Sequence, residues 1–139
     1  MKRGLLVVLA VVICVSSMVS GCQDSSSIKT QRPQNVSLDS TIVEFANVSF
    51  EKHINKSGDI DFVEVGWMFH NIAGKEISAR IDVKFFDQKN IFLYNESKAI
   101  YNMPAEYTER YYSPGANRVI YDKAGVEFVD HVVISVTEI

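Results

Sequence analysis

Between positions 79 and 85 the chain alternates without a break: Ala79, Ile81, Val83 and Phe85 are apolar, and Arg80, Asp82 and Lys84 between them are charged. A period of two sends one set of side chains to each face of an extended strand. The run therefore belongs to a sheet with one face in a core and the other in water. The same reasoning reaches neighbouring segments. Val43, Phe45, Val48 and Phe50 mark a strand whose phase changes near Asn47. Val63, Val65, Trp67 and Phe69 line one face of another, with Asp61, Glu64 and His70 assigned to the opposite face. Further strands are expected over residues 91–94, 99–101, 107–112, 118–121 and 126–136.

The connections between these runs have turn chemistry. Asn71-Ile72-Ala73-Gly74-Lys75 and Asp87-Gln88-Lys89-Asn90 are short and polar, and Ser113-Pro114-Gly115-Ala116 places Pro and Gly as a type II turn requires. No helix of useful length and no internal repeat is visible. Seven or eight short strands joined by such turns predict an all-β fold, an immunoglobulin-like antiparallel β-sandwich over residues 41–139.

The first 21 residues read as an address. Lys2 and Arg3 give a positive start, an almost unbroken apolar run follows from Leu5 to Val15, and small residues approach Cys22. The run is shorter than the roughly 20 residues a helix needs to cross a bilayer core. Val19-Ser20-Gly21-Cys22 resembles the lipobox of prokaryotic lipoproteins. That resemblance implies cleavage after Gly21, a diacylglyceryl thioether on the Cys22 sulfur, and attachment of the mature chain to a membrane, facing away from the cytoplasm. Residues 22–40 are polar and lack either period, so a flexible linker is expected there.

Cys14 and Cys22 are the only cysteines. No disulfide can staple the mature domain, and thiolate metal sites and cysteine nucleophiles are excluded from it. Without Lys2 and Arg3, the 14 basic residues become 12 against 17 acidic ones, a formal balance of −5. Such a domain is a poor partner for nucleic acid and gains nothing from an anionic lipid surface.

From Val65 to about Tyr121 the pattern resembles the FxLYD family of short immunoglobulin-like domains in prokaryotic lipoproteins. The similarity rests on Val65-Gly66-Trp67-Met68-Phe69-His70-Asn71, on Ile81-Asp82-Val83-Lys84-Phe85-Phe86-Asp87 and on Pro114-Gly115. Asn90 stands where the family commonly has Gly, and Asn tolerates the left-handed conformation such a turn needs. The resemblance implies a fold and a setting, and carries no catalytic residues.

Candidate sites are few. His53, His70 and His131 have no spacing that gathers them around a metal. Asp59 and Asp61 lack the calcium-loop pattern. Glu106 and Glu109 form a carboxylate pair on paper only, and Ser113 is not in a nucleophile elbow. No cofactor, metal or catalytic centre is expected. All six tyrosines, Tyr94, Tyr101, Tyr107, Tyr111, Tyr112 and Tyr121, fall in one stretch interleaved with Glu106, Glu109, Arg110 and Arg118. Tyrosine joins rigid apolar area to a polar tip, so this stretch is the candidate contact surface for an envelope protein or glycan. Asn35, Asn47, Asn55 and Asn95 each begin a glycosylation sequon. The function expected is that of a lipid-anchored, non-catalytic binding or structural module. The alternative is a lipoprotein that captures a small molecule or ion, associated with a transporter.

Overall fold

The structure is a computed structural model that describes residues 33–111 and 116–139. Among them are seven strands, β1 (Val36–Asp39), β2 (Val43–Ile54), β3 (Ile60–Asn71), β4 (Ile77–Phe86), β5 (Phe92–Met103), β6 (Arg118–Tyr121) and β7 (His131–Glu138), with one 3-10 turn at Val126–Phe128. They form two sheets, β1-β7-β4-β5 and β2-β3-β6. Hairpins β2–β3 and β4–β5 lie in opposite sheets, and β6 and β7 return to one sheet each, so the chain crosses the core repeatedly. The fold is an all-β sandwich.

The core is what the alternation demands. Val63, Val65, Trp67 and Phe69 from one sheet meet Ala79, Ile81, Val83 and Phe85 from the other, all eight without measurable exposure. Val132 and Ile134 of β7, with Val119 and Tyr121 of β6, extend the two inner faces. The phase change near Asn47 is a β-bulge. Phe45 pairs with Phe69 and Asn47 with Met68, which leaves Ala46 unpaired and turns Val48 back to the core. In the β4–β5 turn Asn90 takes a left-handed φ of 61°, while Asp87 Oδ1 accepts the backbone N–H groups of Lys89 and Ile91 at 2.8 Å.

Four expectations need correction. The strands at 91–94 and 99–101 are one strand, β5. In its polar middle Ser97 opposes Asp82 and Asn95 opposes Lys84 on the outer face, while Glu96 and Lys98, half-buried and ion-paired at 3.1 Å, oppose the core residues Val83 and Ile81. No named strand lies at 107–111, although a single bridge joins His70 to Thr108. The last strand starts at His131, because Gly125, at φ 93°, opens the 3-10 turn instead. A Cβ there would come within 3.1 Å of the Tyr121 hydroxyl. Finally, the end of the expected linker is β1, which pairs with β7 in parallel, so the sandwich is not purely antiparallel. The linker before residue 33, the signal segment and the Pro114-Gly115 turn lie outside the described residues.

The strand directions give the molecule two ends. At the proximal end the chain enters β1: the Val132 N–H donates to the Asn35 carbonyl at 2.9 Å, and the Asn35 side chain reaches the Asp130 carbonyl. The β2–β3 and β4–β5 turns share this end. At the distal end are the turn from β3 to β4 and the segment that follows β5.

Candidate contact surface

The six tyrosines divide. Tyr121 is buried, and its hydroxyl donates to the Ala124 carbonyl at 2.6 Å. Burial also raises the pKa of that hydroxyl. Tyr94 is half-buried and stacks on Tyr121, with ring centroids 4.7 Å apart. The Lys123 ammonium lies over its ring. Both belong to packing between β5 and β6, not to a free surface. Tyr101, Tyr107 and Tyr111 are exposed, at 70%, 47% and 80%. Tyr112 lies outside the described residues.

The three exposed rings share the distal half and the β5–β6 side. Tyr101 stands on β5 beside the pairing of Met103 with Ile77, where β4 begins. Tyr107 and Tyr111 sit on the segment that runs back along β3. Strand β6 pairs with β3 only from Val63 to Gly66, which leaves the later backbone of β3 without that neighbour. The segment supplies the missing partners. The Asn117 carbonyl accepts from Trp67 N–H, the Glu109 N–H donates to the Phe69 carbonyl, and the Tyr107 carbonyl accepts from Asn71 N–H. The remaining donor, Phe69 N–H, is met by the Glu109 carboxylate at 2.8 Å. A side chain there takes the place of a strand carbonyl.

That carboxylate is partly taken out of water, and the desolvation raises its pKa despite the hydrogen bonds from Phe69 and Asn117. Asn117 is itself buried and donates to the Tyr111 carbonyl at 3.1 Å. Above it, His70 Nδ1 lies 2.8 Å from Thr108 Oγ1, and Nε2 lies 3.8 Å from Glu106. Asn102 and Glu106 both adopt positive φ, 52° and 57°. Bulky residues rarely adopt this conformation, and it persists where surrounding contacts over-determine it. Tyr107 and Tyr111 are therefore carried on a segment held by specific bonds to β3.

Asn71 anchors its start. Fully buried, it places Nδ2 within hydrogen-bond distance of the Lys75, Met103 and Pro104 carbonyls, while Oδ1 accepts from Ala73 N–H. Its role is invisible in the sequence, where Asn71 reads as an ordinary turn residue. Glu109 is equally hidden, since a charged residue in a polar stretch announces solvent rather than a backbone partner.

Other candidates are scattered. His53 stacks on Phe62 near the proximal end, His131 stacks on Phe86, and His70 is distal. Among the described residues no group of three or more His, Cys, Asp or Glu side chains is placed to hold a metal. Asp59 and Asp61 are exposed in and after the β2–β3 turn, which Asn55 organises by accepting from the N–H groups of Ser57 and Asp59. Glu106 and Glu109 are divided between His70 and Phe69. Of the sequon residues, Asn95 is exposed on β5. Asn47 accepts from Val48 N–H at the bulge, Asn55 holds its turn, and Asn35 meets Asp130. Cys22 and Ser113 lie outside the described residues.

At the proximal end an open cleft of about 550 Å³ is lined by Lys52, Asp87, Lys89, Glu127, Phe128 and Asp130. Its main cation is engaged, because the Lys52 ammonium donates to the Val129 carbonyl. No helix among the described residues is long and apolar enough to cross a membrane. Compared with family models, with curated proteins and with solved structures, the chain matches none.

Proposed function

We propose that this chain is a lipoprotein of a prokaryotic envelope, anchored through Cys22, whose FxLYD-like sandwich is a non-catalytic binding module for another envelope protein. The observation that carries the reading is the position of Tyr101, Tyr107 and Tyr111, exposed in the half of the domain remote from where the tether joins it. A domain held at one end by lipid offers its far half to partners. Rigid aromatic area with polar tips, carried by β5 for Tyr101 and by a segment already ordered by Glu109 and Asn71 for Tyr107 and Tyr111, binds with little loss of side-chain freedom.

The test is photo-crosslinking in the native cells, with the crosslinker incorporated at Tyr107 or at the opposed position Asn35. A partner captured from position 107 and not from 35, and lost when Tyr101 and Tyr111 are changed to Ser, is the expected result. Capture that is equal from both positions, or none above background, refutes the reading. Mass spectrometry of the mature N-terminus tests the anchor: Cys22 should carry lipid, and Cys22→Ser should leave unprocessed precursor.

A further inference from the structure

The proximal end carries an unexpected set of side chains. Ile54, Ile91, Phe92 and Phe128 are 66%, 56%, 55% and 61% exposed, although each is large and apolar. They share one end by several independent contacts. Phe128 and the β4–β5 turn line the same cleft, and Ile91 and Phe92 follow that turn directly. The Phe92 ring packs edge-on to Phe86, which stacks on His131, and Asp130 N–H donates to the Phe86 carbonyl. Ile54 closes β2 two residues beyond Lys52, whose ammonium meets the Val129 carbonyl. Grouped exposed apolar side chains at one tip of a small domain mark a contact site.

We infer that this end rests on the lipid surface that carries the anchor, with Phe128, Phe92, Ile91 and Ile54 in the interfacial zone of the bilayer. The inference rests on the proposed lipidation of Cys22. The chain itself identifies the occupant. It joins the sandwich at this end, where Val36 pairs with Val132, and only ten residues separate Cys22 from Pro33. Even fully extended, that stretch spans at most about 40 Å. The apolar tip is therefore held close to the headgroups, at an effective concentration that lets a weak surface affinity prevail. Charge does not supply the attraction. Asp87, Glu127 and Asp130 share the end with Lys52 and Lys89, so burial of apolar side chains at the acyl boundary does. Contact at this end also orients the molecule, directing the tyrosine-bearing half away from the membrane.

The experiment uses the lipidated full-length protein in phosphatidylcholine vesicles containing a headgroup-labelled quencher lipid. The mature chain has no thiol besides Cys22, whose sulfur carries the lipid. A cysteine introduced as Phe128→Cys or Phe92→Cys is therefore the only site for an environment-sensitive fluorophore. Ile72→Cys, exposed in the distal turn, is the control. The expected result is a blue-shifted emission and at least threefold stronger quenching at positions 128 and 92 than at 72. Adding anionic lipid should not strengthen it. Equal quenching at all three positions in protein that carries the lipid overturns the inference and leaves the anchor standing. Quenching that appears only with anionic lipid also overturns it. Absence of lipid on Cys22 overturns both.

Discussion

Asn71 shows how one polar side chain can hold a connection that hydrophobic packing does not reach. Its amide has no exposure, yet it bridges the β3–β4 turn, through the Lys75 carbonyl and Ala73 N–H, to the end of β5, through the Met103 and Pro104 carbonyls. Removing it leaves several buried or half-buried backbone groups without partners, and each unmet group costs its full desolvation. Asn71→Ala should therefore destabilise the domain by roughly 2–4 kcal/mol. Asn71→Asp should cost more, because a carboxylate cannot donate and would face three carbonyl oxygens. Denaturant unfolding followed by the fluorescence of Trp67, the sole tryptophan, measures both. An Asp variant as stable as the native chain would contradict this account of the site. The unpartnered Trp67 indole N–H, buried in the core, is a contrasting case for which the structure gives no compensating contact.

At the scale of elements, the Glu109 carboxylate completes the edge of β3 where β6 stops short. Because burial raises its pKa, the folded state holds the Glu109 proton more tightly than the unfolded chain does. Its contribution to stability is then fully present below its ordinary value of 4.5 and is lost as pH rises through the folded value. Glu109→Gln keeps an oxygen for Phe69 N–H and abolishes that titration. The stability of the Gln variant relative to the native chain should thus increase from pH 4.5 to pH 7.5, and a difference that stays constant would refute the mechanism. Glu109→Ala leaves Phe69 N–H unmet and should cost about 1–3 kcal/mol at either pH. The sequence makes some of these elements legible and hides others. Strict alternation marks Ala79 to Phe85, and the phase change at Asn47 marks the bulge, because a core on one face enforces parity. Strand β5 hides its continuity, since Asn95 to Lys98 resemble a loop when the pairing with β4 is unknown. Four residues of β1 are too few to show a period. Tyr121 follows Val119 and Ile120, two apolar neighbours on opposite faces, so its burial could not be read from parity.

Over the whole molecule, the proposed lipid contact and the proposed partner contact lie at opposite ends. Strands β2, β3 and β5 are 12 residues long, which at about 3.3 Å per residue separates the ends by on the order of 35–40 Å. The sandwich between them is a close-packed body without disulfides, in which Trp67, Phe69 and Phe85 are fully buried and the two inner faces interdigitate. Changes at the two ends share no partner and should not couple. Changing Phe92 and Phe128 to Ser should weaken contact with lipid, read as loss of quenching from a fluorophore at Ile54→Cys. Crosslinking from position 107 to a soluble, purified partner should stay as it was. Changing Tyr101 and Tyr111 to Ser should do the reverse. In the combined variant the change in unfolding free energy should equal the sum of the separate changes within about 0.5 kcal/mol. On intact membranes, however, the proximal substitutions should also lower capture of the partner, because they release the orientation that points the tyrosines outward. Loss of capture on membranes, with full capture in solution, is the signature of a domain whose lipid-facing end aims its binding half. Loss in both settings would instead mean that the proximal residues support the fold itself.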